Sequence, residues 1–277
     1  MADLTPLPFD SGLEEYRQQA GQLHEAWKAG EPDALQLLRS CHPHFLDDRI
    51  PWLPKKLADS EIQSAALEPA DFELAVARGY NFRDWLALAE YVEAVTKENS
   101  PVHQFEAAVE AVIGGDVASL RQQLREHPEL VRARSTRVTC FDPPVHRATL
   151  LHYVAANGVE GYRQKTPKNA VEVATALLGA GAEADALADL YGGQCTTMSL
   201  LVSSSHPAKA GMQVALVDLL LDFGASVEEH GSGDWTSPLM TALAFGFSDA
   251  AEALVRRGAR VATLAAAAGL GRLAEAR

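Results

Sequence analysis

Three stretches decide the reading of this chain: ATALLGAGAEADA (Ala174 to Ala186), VDLLLDFGASVEE (Val217 to Glu229) and AEALVRRGARVAT (Ala251 to Thr263). Each has apolar residues at helical spacing and then Gly-Ala. Gly181, Gly224 and Gly258 fall just past the last apolar residues, where a helix ends in a left-handed conformation that only glycine adopts without steric cost. The glycines are 43 and 34 residues apart. A unit recurring at such a period is the mark of stacked repeats, each burying its apolar face on its neighbours.

Upstream of these ends lie ATLLHYVAANG from Ala148, TTMSLLVSSSHP from Thr196 and TSPLMTALAFG from Thr236. In each, Thr or Ser precedes an apolar stretch, Ala-containing in the first and third, as expected where a hydroxyl caps a helix and small side chains let neighbouring helices approach. The combined pattern resembles the ankyrin repeat. Thr149, Leu151, His152, Ala155, Ala156 and Gly158 carry the match best, and the third copy keeps Ser237, Pro238 and Leu239 with Met240 in place of the family's His. The resemblance implies an all-α, helical solenoid of stacked helix-turn-helix repeats joined by β-hairpin-type loops. It also implies a structural part for His152, hydrogen-bonded to neighbouring backbone.

A second similarity lies nearer the N-terminus. AWKAGEPDALQLLRSCHP (Ala26 to Pro43) aligns without a gap to AVIGGDVASLRQQLREHP (Ala111 to Pro128), both reading as helix, glycine turn and helix stopped by proline. The second copy reads as a degenerate first repeat, with Phe105, Ala108, Val109 and Val112 on one face. Residues 44–68, with Pro51 and Pro54, read as an ordered connection, and Gly79 divides the helical stretch that follows it. The expected organisation is a disordered N-terminus at 1–12, a helical capping region at 13–97, and repeats at about 105–147, 148–190, 191–233, 234–262 and, in part, 263–277.

Two repeats exceed the ~33 residues of an uninterrupted unit. The excess lies in VEGYRQKTPKNA, residues 159–170, and SSSHPAKAGMQ, residues 203–213, at equivalent positions of adjacent repeats. Stacking in register makes them neighbours, so Tyr162, Arg163, Lys165, His206 and Lys209 are expected to converge. From Leu130 to Ala170 there are seven basic residues against two acidic ones, within a chain of net charge −13. That local excess suits an anionic small molecule, since arginine presents paired donors to carboxylate or phosphate, or it is simply a solvated face.

The hairpin positions at 133–149 and 189–197 are where ankyrin-like proteins meet partners, and they carry Phe141, Tyr191 and Cys195, with Trp235 in the next tip. Such residues are enriched at interface centres; they equally serve to cover the hairpins themselves. The reading is a binding protein that offers a concave groove to a protein partner. The alternative is a small-molecule or catalytic pocket between the two inserted segments.

The net negative charge argues against nucleic acid and anionic membranes as partners. Cys41, Cys140 and Cys195 are too scattered for a disulfide framework or a zinc site, and no cofactor motif occurs. Cys195, His206 and Asp189, or Ser203 with His206, offer a nucleophile and base only by residue type. Without a basic, apolar leader or an 18-residue apolar run, the chain reads as cytoplasmic.

Overall fold

The computed structural model describes residues 5–156, 160–233 and 235–272. It is mostly helical, 55% by residue, with fifteen α-helices and one two-stranded sheet among the described residues. No helix there is long and apolar enough to cross a membrane. The chain divides into two compact units, residues 1–103 with 137–144, and residues 104–136 with 145–277. The sequence match at Gly158 and the last residues of the partial repeat, 273–277, lie outside the described residues.

The first unit contains α1 (Leu13–Lys28), α2 (Pro32–Cys41), α3 (Asp59–Gln63), α4 (Pro69–Gly79) and α5 (Trp85–Val95). Three of these starts have a local cause. Proline opens α2 and α4, where its missing N–H costs nothing, and the Asp84 carboxylate caps α5 by accepting from the Ala87 N–H at 2.8 Å. The helix before Gly79 does end there, although the left-handed residue is Asn81. α1 and α2 both pack on α4 around Leu38, Phe72 and Ala75, which are almost entirely removed from solvent.

Two expectations change in this unit. Residues 5–12, expected without order, are tied down: Leu7 N–H donates to the Tyr80 hydroxyl at 2.9 Å, Tyr91 donates to the Phe9 carbonyl, and the Phe9 ring lies 5.3 Å from His103. The segment 137–144, expected in the first repeat's hairpin tip, belongs to this unit instead. The Arg137 guanidinium sits 4.3 Å over Phe82 and 4.6 Å over Tyr91, an arrangement attractive through the rings' negative faces. Backbone hydrogen bonds from Arg83 to Val138 and from Cys140 to Asn81 hold the segment in place.

The second unit contains the body of α6 (Pro101–Gly114), then α7 (Val117–Glu126), α8 (Leu150–Val154), α9 (Ala170–Gly179), β1 (Leu187–Leu190), β2 (Gly193–Thr196), α10 (Thr197–Leu201) and α11 (Ser205–Lys209). It ends with α12 (Gln213–Asp222), α13 (Pro238–Ala244), α14 (Ser248–Arg256) and α15 (Leu264–Gly269). α8 packs on α9, α10 on α12, and α13 on α14. One row of neighbours runs α7, α9, α12, α14, and another runs α8, α10, α13, α15.

Local chemistry sets these boundaries. Thr196, Ser237 and Thr263 accept from the backbone N–H three residues on, capping α10, α13 and α15; in the third stretch the cap is Ser237, one residue after Thr236. Gly181, Gly224 and Gly258 all have positive φ and close α9, α12 and α14. A further contact occurs twice in the second unit. Asp185, four residues past Gly181, accepts from the Ser226 N–H at 2.9 Å, and Glu228, four residues past Gly224, accepts from the Arg260 N–H at 2.8 Å.

Asp185→Ala removes that acceptor and is expected to cost about 1 kcal/mol in urea unfolding, while Asp185→Asn, which keeps an acceptor oxygen, costs less.

Candidate functional site

The hairpin orders its side chains by alternation. In the antiparallel pairing Leu187 faces Thr196, Ala188 faces Cys195, Asp189 faces Gln194 and Leu190 faces Gly193. Ala188, Leu190 and Cys195 point inward and are buried. The connecting residues Tyr191 and Gly192 have φ of 55° and 76°, so both central positions of this two-residue turn are left-handed, as in a type I′ turn. Glycine or asparagine suits such a site; tyrosine does not.

A second segment lies antiparallel beside β2, bridging Cys195 at Gly231. Ser232 N–H donates to the Gln194 carbonyl at 2.8 Å, and the backbones approach so closely that a Cβ on Gly231 would collide with that carbonyl. This places Trp235, whose indole N–H donates to the Leu190 carbonyl at 3.2 Å and whose ring lies 6.1 Å from that of Tyr191. Trp235 is half-buried and Tyr191 is 46% exposed, so the pair forms an aromatic tip anchored from below.

Cys195 is not part of that surface. It lies on the hairpin's inward face, with Sγ 3.7 Å from the Ala188 carbonyl, and burial, assisted by the charge of Asp189, pushes its thiol up to about 12. A protonated, enclosed thiol is neither a contact residue nor a nucleophile. His152 is equally enclosed. Its Nδ1 accepts from the Thr149 N–H at 3.1 Å, and the Thr149 hydroxyl lies 2.8 Å away. Burial holds its pKa down to about 4, the carbonyls of Cys195 and Ala186 offsetting part of that shift. Its place is structural.

No protein-family model matches the chain, and no curated protein is detectably similar to it in sequence.

The inserted segment 159–170 departs most from expectation. From Glu160 onward it is described, and a short 3-10 turn, Gly161–Arg163, swings Arg163 inward until its side chain is 2% exposed. The guanidinium meets Glu106 at 2.6 Å, Glu110 at 3.0 Å and Glu160 at 3.1 Å. Glu160 also accepts from the Tyr153 hydroxyl at 2.7 Å and from His146 at 3.0 Å. His146 Nδ1 accepts from the Ala148 N–H, so in the neutral ring the proton sits on Nε2 and points at Glu160. Burial, reinforced by Glu160 and Glu106, raises the Tyr153 phenol well above its ordinary value.

This arrangement takes Arg163 out of the expected basic patch, while Arg132, Arg134, Arg147 and Lys168 are exposed. Arg163 is surrounded by three carboxylates, and any anion approaching it meets their excess negative charge. Arg137 is likewise buried. Of the remaining expected set, Lys165 and Lys209 are exposed, while Tyr162 and His206 are half-buried. Tyr162 lies 5.5 Å from the Arg163 guanidinium. The second inserted segment is held by Ser204, which donates to the Ala156 carbonyl at 3.0 Å, and by Gln213, which donates to the Leu201 carbonyl at 2.9 Å.

A cavity of about 20 Å³ lies beside the cluster, lined by His146, Ala148, His152, Tyr153, Glu160, Leu190 and Leu200. That is room for one water molecule. Among the described residues no group of three His, Cys, Asp or Glu side chains is placed to hold a metal ion.

Sequence reasoning missed Glu106, Glu110, Glu160, His146 and Tyr153. One signal was available: Glu106 and Glu110 stand four residues apart, directly beside the apolar stripe of Phe105, Ala108, Val109 and Val112.

Two outcomes are expected. Arg163→Met leaves Glu106 and Glu160 buried without their cation and lowers stability by about 3–5 kcal/mol in urea unfolding; adding Glu106→Gln and Glu160→Gln recovers part of the loss. His152 has a folded-state pKa of about 4, below the ordinary 6.5, so it stabilises the fold fully above 6.5 and progressively less as pH falls toward 4. The loss over that window is about 3 kcal/mol. Unfolding curves at successive pH values should therefore show a shallower acid slope for His152→Gln than for the parent protein.

Proposed function

We propose that the second unit is a stack of ankyrin-like repeats whose concave side and hairpin tips bind a protein partner. The ankyrin-like reading rests on the paired helices in two rows, the hydroxyl caps, the left-handed glycines, and the hydrogen bonds from the Ser226 N–H to Asp185 and from the Arg260 N–H to Glu228 that repeat at equivalent positions.

The observation that carries the binding reading is Tyr191. A bulky residue in the left-handed region costs on the order of 1–2 kcal/mol, yet this position holds a half-exposed tyrosine against Trp235, where asparagine would fold better. Strain kept on an exposed aromatic points to a contact outside the chain. The anion-pocket alternative loses its principal cation, because Arg163 is engaged by three carboxylates. The setting in this reading is the cytoplasm, where Cys41, Cys140 and Cys195, all with raised thiol pKa values, stay reduced.

Tyr191→Asn separates stability from function. It is expected to raise stability by about 0.5–1 kcal/mol and to weaken partner binding at least tenfold, as is Trp235→Ala, when the intact protein is used as bait in its own host and the captured partner is then titrated. Unchanged capture by both variants would remove the proposal's support.

A further inference from the structure

The edge of the hairpin beside the aromatic tip is cationic. Ala188 and Leu190 of β1 are buried, so Leu187 and Asp189 lie on the outward side about 6.6 Å apart, and Tyr191 follows at the turn. A guanidinium accompanies each of the first two. Arg134 Nη1 donates to the Leu187 carbonyl and, at 2.9 Å, to the Arg147 carbonyl, while Arg147 Nε lies 3.8 Å from Asp189. The backbone holds this row in place, because Asp189 N–H donates to the His146 carbonyl at 2.7 Å and Ser135 N–H to the Ala148 carbonyl at 2.9 Å. Along β1 the surface therefore presents a cation, a second cation and then the Tyr191–Trp235 pair.

Two features set this edge apart from an ordinary solvated face. The first is that its charge is poorly met from within. Arg134 is spent on carbonyls, which orient a guanidinium without cancelling its charge, and among the described residues no carboxylate pairs with it. Arg147 has only Asp189, beyond hydrogen-bond reach, and Asp189 also accepts from Gln194 Nε2 at 2.9 Å. The second is backbone strain. Arg147 has φ of 52°, a left-handed conformation unfavourable for a long side chain, yet that side chain is 68% exposed. Tyr191 and Arg147 are thus two exposed, left-handed, non-glycine residues on one small surface, one aromatic and one cationic. Strain kept at both points to a shared contact outside the chain. On the far side of β2 the sign reverses, where exposed Glu229 accepts from the Gly231 N–H. A negatively charged partner is directed to the β1 side.

We propose that the partner docks an extended acidic segment along the β1 edge, with an apolar side chain against Tyr191 and Trp235 and carboxylates on Arg147 and Arg134. The inference rests on the binding reading of the tip given above. In an extended segment the side chains on one face recur every second residue, which matches the spacing of this row. Guanidinium groups present paired donors to carboxylates, and a guanidinium oriented in advance by carbonyls loses little freedom when one arrives.

Selection of a random peptide library, about twelve residues long, against the full chain tests this, since a segment of that length spans the row in extended form. The selected peptides should be enriched in Asp and Glu beside an apolar residue. Arg147→Asn, which removes the charge and suits a left-handed backbone, should weaken their binding about threefold, as loss of an exposed ion pair does. Arg147→Glu should weaken it about tenfold by placing like charges together, and Arg147→Lys should retain most of it. Raising salt from about 50 to about 300 mM should weaken it as well. Peptides that depend on Tyr191 and Trp235 but show no acidic enrichment, or that ignore Arg147→Glu, overturn this inference and leave the binding reading standing. Peptides indifferent to both Tyr191→Asn and Trp235→Ala overturn the two together. A library that yields no binder overturns the inference without touching capture of a folded partner. Arg147-dependent binding of a random single-stranded oligonucleotide in place of peptides also overturns it.

Discussion

A guanidinium enclosed by carboxylates fixes the most irregular part of this protein. Arg163 joins Glu106 and Glu110 of α6 to Glu160 beside it, and through Glu160 to Tyr153 of α8 and His146 of the preceding loop. Removing such charges from water costs several kcal/mol per ion, repaid only where the remaining lone pairs find donors. Here Glu160 takes donors from a phenol, an imidazole and the guanidinium. The cluster makes what would be a loose insertion into a clamp between helices distant in sequence. It also withdraws Arg163 from the locally basic stretch, whose Arg132, Arg134, Arg147, Lys165 and Lys168 remain exposed.

The hairpin beside the cluster shows how a period of two divides labour between adjacent residues. Cys195 and Ala188 meet on the inner face and are sealed by packing, while the turn lifts Tyr191 to the surface. The glycines at 193 and 231 let a second segment lie closely beside β2, and that approach carries Trp235 to Leu190 and to Tyr191. An exposed aromatic pair thus rests on a backbone arrangement that admits almost no variation in position.

The first unit uses aromatic surfaces differently. Phe82 and Tyr91 form a slot that takes Arg137 from a segment otherwise surrounded in sequence by the second unit. Tyr80 and Tyr91 use their hydroxyl groups to anchor residues 5–12. In both cases buried aromatic rings, through their faces or their hydroxyl groups, hold a chain segment with little secondary structure in a defined position.

The sequence by itself determined several helix ends and starts: the left-handed glycines at 181, 224 and 258 and the hydroxyl cap at Thr196. These features depend on contacts within about four residues, so their cause is written in adjacent letters. It also marked Tyr191 and Trp235, because large aromatics at turn positions are visible without coordinates. Only the tertiary structure decided the fates of Arg163, Arg137 and Cys195. Arg163 meets Glu106, 57 residues earlier, and Arg137 meets Phe82, 55 residues earlier. Whether an arginine faces solvent or a carboxylate depends on which distant helix packs beside it, and local pattern carries no record of that choice.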